Sequence, residues 1–384
     1  MKRTSRGSIT SRQSIAALTA LALAWLVTPT PAMALNAYIP NSSDNTVSVI
    51  DTATNTVVAT IPVGMGPSGV AVTLDGTKVY VVNQNDNTVS VIATKTNTVI
   101  GSPIPVGIAP FGVAVTPDGS KVYVTNLVDG TVSVIKTATN TVIATVSVGP
   151  PFSTAGVAVT PDGSKVYVTN DNTVSVIATK TNTVIGSPIP VGSIPVGVAV
   201  APDGTKVYVT NSGDNTVSVI DTKTNTVIGL PIPVGFGPDE VAVTSDGSTL
   251  YITNQNDNTV SVIDTATNTV VATIPVGSFP IGVAVTPDST KVYVANLFDN
   301  NVSVIATATN TVIGSPIGVG NFPIPFGQFI QPLYLAGTPG SPNCHGKSVS
   351  ALAQQFRGLA HAADILGFES VSALQDLIKR LCGG

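Results

Sequence analysis

Gly197-Val-Ala-Val-Ala201, the turn Pro202-Asp203-Gly204, Lys206-Val-Tyr-Val-Thr-Asn211, Thr216-Val-Ser-Val-Ile220 and Thr226-Val-Ile-Gly-Leu-Pro-Ile-Pro-Val234 follow one another with only short polar turns between them. The runs are rich in β-branched residues, which suit the pleated surface of a strand. We read them as four strands, A to D. Pro202 pre-sets φ for the first turn, Asp203 caps it, and Gly204 supplies a left-handed position. The turns Asn211–Asn215 and Asp221–Asn225 place Asn and Asp where short polar side chains bond the turn backbone.

The unit recurs. Tyr-Val-Thr-Asn stands at Tyr123–Asn126, Tyr167–Asn170 and Tyr208–Asn211, with variants at Tyr38–Asn41, Tyr80–Asn83, Tyr251–Asn254 and Tyr293–Asn296. Successive tyrosines are 42, 43, 44, 41, 43 and 42 residues apart. A four-stranded unit repeated seven times at this period predicts an all-β, seven-bladed β-propeller. The strands do not alternate between apolar and polar, as expected when both faces of every sheet are covered by neighbouring blades. The seven tyrosines are therefore expected in the core. The chain enters the first unit at strand B, so that unit lacks its own strand A. Gly327–Gln331 aligns with strand A and is expected to fill the gap, closing the ring and hiding an edge that would otherwise template aggregation.

These residues resemble the YVTN β-propeller family, which includes surface-layer proteins and exported bacterial proteins. The resemblance covers Leu35 to about Gln331 and implies the same fold. It implies a mostly non-catalytic role, though a fold alone does not assign chemistry. The Trp-Asp signature of another propeller class is missing: Trp25 is the only Trp. Related lactonases and metal-binding propellers use Glu, His or Arg in the central funnel. Of these the ring carries only Glu240.

The 384 residues are 10% charged and 43% hydrophobic, too apolar for a disordered chain. Lys2, Arg3, Arg6 and Arg12, the 13-residue apolar run Ile15–Val27 and Ala32-Met33-Ala34 read as a secretory signal over residues 1–34. Its removal leaves 13 of 17 basic and all 21 acidic residues, a formal charge of 13 − 21 = −8. Export to the periplasm, cell surface or medium is expected, with no membrane span left after cleavage. Leu35–Ala336 contains no Arg or His. A nucleic-acid surface needs clustered cations, so that class is rejected.

Composition shifts after the propeller at 35–336. A linker at 337–347 leads to a helical module at 348–384. Ser348 and Ser370 each open the same Ser-Val-Ser-Ala-Leu run and are expected to act as N-caps. Cys344 and Cys382 bracket the module and are expected to form a disulfide, as an oxidising compartment permits. With His345 they fall short of a tetrahedral metal set.

Comparing the seven copies with one another locates the variable positions. Variation concentrates in the connection from strand D to the next strand A. Phe111, Phe152, Phe236, Phe279, Phe322 and Phe326 all fall there, and two B-to-C turns on the same face carry Leu127-Val128 and Leu297-Phe298. Such a patch either marks an interaction site or folds into the gaps between blade tips. Asp239 and Glu240 are the ring's only adjacent acids. They could bind a cation or act as acid and base, or simply be solvated rim charges. No catalytic set can be assembled, and neither cofactor nor metal is implied. The function expected is a non-catalytic exported scaffold that presents its mouth to a protein or peptide partner. The alternatives are a structural surface-layer or adhesion component that self-associates, and a lactonase-like enzyme.

Overall fold

A computed structural model describes residues 35–332 and 370–381, together with Leu359. The expected signal at 1–34, the linker at 337–347 and both cysteines, Cys344 and Cys382, lie outside the described residues. The described chain forms seven antiparallel sheets arranged as a β-propeller, with one short helix, Val371–Leu381, beyond it. Ser370 caps that helix as expected, its Oγ accepting the Ala373 N–H at 3.1 Å.

Blade 5 shows the common plan. Its strands are Pro195–Val200 (A), Lys206–Asn211 (B), Thr216–Asp221 (C), and the short pieces Thr226–Val227 and Ile232–Pro233 (D). Strand A bulges between Pro195 and Val198 while B and C pair without a break. Strand B is buried on both faces from Val207 to Asn211, which is why apolar side chains do not alternate with exposed polar ones. At its mouth end Asn211 Nδ2 donates to Thr216 Oγ1 and Ser218 Oγ at 3.0 and 2.9 Å, fixing the B–C register from inside the sheet.

Adjacent inner strands approach so closely that one row of positions must be glycine. A Cβ on Gly69 would lie 2.0 Å from the Phe111 carbonyl oxygen, and one on Gly156 would lie 2.3 Å from that of Val196. The same row continues through Gly112, Gly197 and Gly282. Blade 6 alone breaks it, with Glu240.

Blade 1 contributes strands Asn36–Asn41, Thr46–Asp51 and Thr56–Pro62, three rather than four. The missing inner edge is covered by the returning C-terminal segment. Tyr38 N–H donates to the Phe329 carbonyl at 2.9 Å and Gln331 N–H to the Asn36 carbonyl at 2.8 Å. The contact begins earlier than Gly327: Ile324 N–H also reaches the Pro40 carbonyl. It consists of separate bridges rather than a continuous ladder. Pro323 and Pro325 have no N–H to offer, and Gly327 sits at φ +108°. Phe329 and Ile330 are fully buried in the seam.

The outer strands are of two kinds. In blades 2, 4, 5 and 7 strand D is interrupted by Gly101, Gly186, Gly229 or Gly314 at positive φ, followed two residues later by proline. In blades 1, 3 and 6 it runs unbroken over Thr56–Pro62, Thr141–Ser147 and Thr269–Pro275.

Burying Phe329 and Ile330 contributes about 1.5–3 kcal/mol each. A chain ending at Val319 is therefore expected to melt at least several degrees earlier than one ending at Gly337, or to aggregate through the bare inner edge of blade 1. Thermal unfolding of the two truncations compares them; equal melting temperatures would mean that the ring closes in some other way.

Candidate binding face

The B–C turns and the D-to-A connections lie together at one end of the channel. Each connection but that of blade 4 is clamped from both sides. Met65 N–H donates to Asp86 of the following blade at 2.6 Å, and Gly66 N–H to Asn45 of the preceding blade at 2.9 Å. The pairs Ile108–Asp129 and Ala109–Asn87, Phe236–Asp257 and Gly237–Asn215, and Ser278–Asp299 and Phe279–Asn258 repeat the arrangement. The carboxyl of Asp44, which caps Asn321 in the same way, is held below the usual carboxylate range by the Asn321 backbone and side-chain N–H groups.

The residue at this second position is left-handed in all seven connections. Gly66 and Gly237 adopt this conformation at no cost, but Ala109, Phe152, Ile194, Phe279 and Phe322 also have φ of 50–64°. An L-residue in this region costs roughly 1–2 kcal/mol, and a β-branched one such as Ile194 is a true outlier. Phe152 is nevertheless 73% exposed, Ile194 63% and Phe322 43%. Strained backbone therefore holds bulky apolar side chains out into water.

The six phenylalanines singled out in the sequence do not form one patch. Phe279 and Phe322 gather around Phe298 of a B–C turn, with ring centroids 4.8 and 6.1 Å from it. Phe111 and Phe326 stack at 4.7 Å. Blade 2 lies between their blades, so the two rings meet inside the channel, over the fully buried Ser68. Phe326 is only 4% exposed, so it packs inside and is not an exposed rim residue as expected. Phe152 and Phe236 stand apart. Blade 4 explains Phe152: its entry connection is two residues longer than the others and its B–C turn, Asp171-Asn172, two shorter. Ile194 was missed as a site residue. Its signal was its register with Gly66 and Gly237, each directly before a proline.

Glu240 is not a solvated rim charge, and Asp239 is half-buried beside it. Asp239 stands at the inner-strand position that Ser68, Phe111, Val196 and Phe326 occupy elsewhere, and Glu240 fills the glycine row. Glu240 is 4% exposed and its Oε2 is buried without a hydrogen-bond partner. Desolvation by the surrounding strands pushes Asp239 up to about 7, and desolvation with the Asp239 charge beside it raises Glu240 well above the carboxylate range. Among the described residues no group of three or more His, Cys, Asp or Glu is placed to hold a metal.

Charge divides sharply between the two ends. The mouth carries one Asp per B–C turn (Asp44, Asp86, Asp129, Asp171, Asp214, Asp257 and Asp299) plus Asp239 and Glu240, and no basic residue. All nine lysines of the ring lie at the other end, at strand B starts, strand C ends and C–D turns, with the remaining nine acids. Lys121 Nζ, for example, bonds the C–D turn of the next blade at Thr179 and Asn182.

Seven sheets, each with a buried tetrad tyrosine, decide the class. The chain folds as a seven-bladed β-propeller built on a repeated Tyr-Val-Thr-Asn tetrad. The profile of the YNCE-like beta-propeller family matches residues 189–291, little more than two of the blades. Hydrazine synthase of Kuenenia stuttgartiensis is similar in structure, with a TM-score of 0.65 and 26% identity over 71% of this chain and 92% of that one. A functionally unknown protein from Desulfotomaculum acetoxidans DSM 771 has a TM-score of 0.66 at 18% identity, covering 76% of this chain and 98% of that one. Dihydro-heme d1 dehydrogenase NirN has a TM-score of 0.55 at 16% identity, over 73% of this chain and 62% of that one. These last two likenesses concern the fold alone. In sequence, 38 residues are 60% identical to PE-PGRS family protein PE_PGRS18 of Mycobacterium tuberculosis (strain ATCC 25618 / H37Rv). That stretch is 10% of this chain and spans 8% of the curated relative's length.

Two carboxyls whose folded pKa values are raised hold extra protons in the native state. The stability Asp239 confers is fully present below about pH 4 and is lost as pH rises through about 7, and the raised Glu240 acts in the same direction. The melting temperature is therefore expected to fall between pH 5 and pH 8. Glu240→Gly, which restores the residue of the other blades, should raise it at pH 8 and flatten the slope. A wild-type profile that rises with pH across this window would contradict the assignment.

Proposed function

We propose that this propeller is an exported, non-catalytic scaffold that presents its mouth to a protein or peptide partner. The supporting observation is the left-handed rim. Two blades make the same connection with glycine, yet five hold a side chain there against roughly 1–2 kcal/mol of backbone strain each, and three of those side chains stand exposed. Glycine satisfies the same backbone in Gly66 and Gly237. Burial of each such side chain against a partner would contribute on the order of 1–3 kcal/mol. The clamping of every connection but that of blade 4 lowers the ordering cost of association.

Phe152→Asp and Ile194→Asp are expected to weaken capture of a partner from envelope extract at least tenfold while leaving the melting temperature within a degree or two. Ile194→Gly should weaken capture with no loss of stability, because glycine relieves the strained φ. Lys206→Glu, at the opposite end of the ring, should leave capture unchanged. Rim variants that unfold the ring and bind as before would remove the reading.

The outer strands favour a second reading, a structural component that assembles with copies of itself. Three blades present continuous, uncharged outer strands, with Val58 53%, Ile143 47% and Val271 58% exposed. Such edges template pairing. The other four are interrupted by glycine and proline. Concentration-dependent oligomers that disappear in Val58→Lys and Val271→Lys would favour this reading over the first.

Export itself rests on residues 1–34. N-terminal sequencing of the secreted protein is expected to begin at Leu35 or within two residues of it. Non-reduced peptide mapping should show Cys344 linked to Cys382. Retention of Trp25, or two free thiols, would count against export to an oxidising compartment.

A further inference from the structure

Asp44–Gly64 of blade 1 and Asp257–Gly277 of blade 6 are the same sequence. The outer strand of each lies against that of the preceding blade. Those preceding strands end alike, in Ile232-Pro-Val-Gly235 and Ile317-Gly-Val-Gly320, but for one residue: Pro233 of blade 5 is Gly318 in blade 7. Five of the seven blades have proline at this position and blade 3 has Ser147. Gly318 thus leaves a side chain out, and a Cβ placed on it would meet nothing within 4 Å. A cleft of about 540 Å³ opens at this junction, within the size range of small-molecule sites. Blade 1 forms one wall with Asp44, Thr46, Ser48, Val57 and Thr60, and Gly318 lies in the other. Thr46 and Ser48 share a face of strand C, and Thr60 stands opposite Ser48 on strand D, so three hydroxyls lie on one wall. Thr46 Oγ1 and Ser48 Oγ accept from Asn41 Nδ2 at 3.0 and 2.9 Å. A hydroxyl that accepts still has its own proton to give. Asp44 accepts N–H groups of Asn321 on both carboxyl oxygens, and each oxygen keeps a further lone pair.

We propose that this cleft between the last and first blades binds a saccharide, a neutral ligand rich in hydroxyls, and that glycine at position 318 is what admits it. Sugar hydroxyls take protons from Thr46, Ser48 and Thr60 and give theirs to Asp44, while a C–H face rests on Val57. An anion would find no cation on these walls and would meet the Asp44 charge. A wholly apolar ligand would bury the row of hydroxyls unpaired. An organic cation would meet a carboxylate already engaged by two N–H donors, with no aromatic face among the lining residues. Blade 6 repeats the hydroxyl row as Thr259, Ser261 and Thr273, but with Pro233 beside it in place of Gly318. None of the rim side chains invoked above lines the cleft, so the inference does not depend on the partner reading.

Saturation-transfer NMR of the mature chain tests this with D-glucose, D-galactose, D-mannose, N-acetyl-D-glucosamine and maltose, each alone, and calorimetric titration does so with sodium phosphate and n-hexylammonium as charged probes. At least one of the sugars is expected to show transfer from the protein. That signal should disappear in Gly318→Pro and fall at least tenfold in Thr60→Val. Gly318→Pro installs the residue that five blades already use, so the ring is expected to fold, and the melting temperature checks that it has. Adding Pro233→Gly to Gly318→Pro should bring binding back, now at the junction of blades 5 and 6. Phe152→Asp should leave the sugar signal untouched, so failure at the rim and failure in the cleft are seen separately. Absence of transfer to every sugar, undiminished transfer in folded Gly318→Pro protein, no recovery in the double variant, or binding of phosphate or hexylammonium in place of the sugars would each overturn the proposal.

Discussion

Six of the seven junctions between blades are tied by a tyrosine hydroxyl. The tetrad tyrosine is buried in one sheet and reaches the left-handed asparagine of the next blade's C–D turn: Tyr38 to Asn97, Tyr123 to Asn182, Tyr167 to Asn225 and Tyr251 to Asn310, at 2.7 to 3.2 Å. Tyr293 of the last blade bonds Asn55 of the first, carrying the chain of bonds across the seam. A buried phenol must find a partner, and the Asn is in αL because the turn demands it. The two most regular features of the repeat are thus the two halves of one contact, and the ring follows from making it around the circle. Tyr80 is looser at 3.4 Å. Between blades 5 and 6 Asn268 Oδ1 is left buried without a partner. That junction adjoins the blade in which Glu240 interrupts the glycine row.

Most of this was legible in the residues. The period, the tetrad and the Pro-Asp-Gly turn state a short-range code, and short-range codes survive translation into turns and strands. The missing strand A at Asn36 and the orphan segment at Gly327 likewise told where the ring closes, although prolines spread that closure back to Ile324. The site was legible only as a list of variable positions. Which way Phe326 points depends on the diameter of the channel, and the separation of Phe111 from Phe279 depends on the angle between blades. No local pattern encodes either. The left-handed rim was hidden for another reason: phenylalanine and isoleucine give no sign of positive φ, and only their alignment with Gly66 and Gly237 betrays it.

Rim and throat draw on different resources. The rim is built from connections whose backbone, blade 4's excepted, is fixed by Asp and Asn side chains of both neighbouring blades, so its side chains can vary without disturbing a strand. The throat lies where inner strands pack within van der Waals contact, and there every side chain larger than hydrogen disturbs two blades. Variation at the rim is structurally inexpensive, and variation at Glu240 is not.

The seam joins residues 295 positions apart, Asn36 and Gln331. Every other blade is made of neighbours in sequence and can form as soon as its four strands have been synthesised. The first blade cannot. Until the last turns of the ring emerge, its tyrosine strand has no inner partner, and six finished blades have no circle to stand in. Loop closure over such a distance makes this the slow event of folding. During that interval the chain is an open arc with a bare strand at one end. A protein exported in this state would depend on whatever shields that strand until its own C-terminal segment arrives.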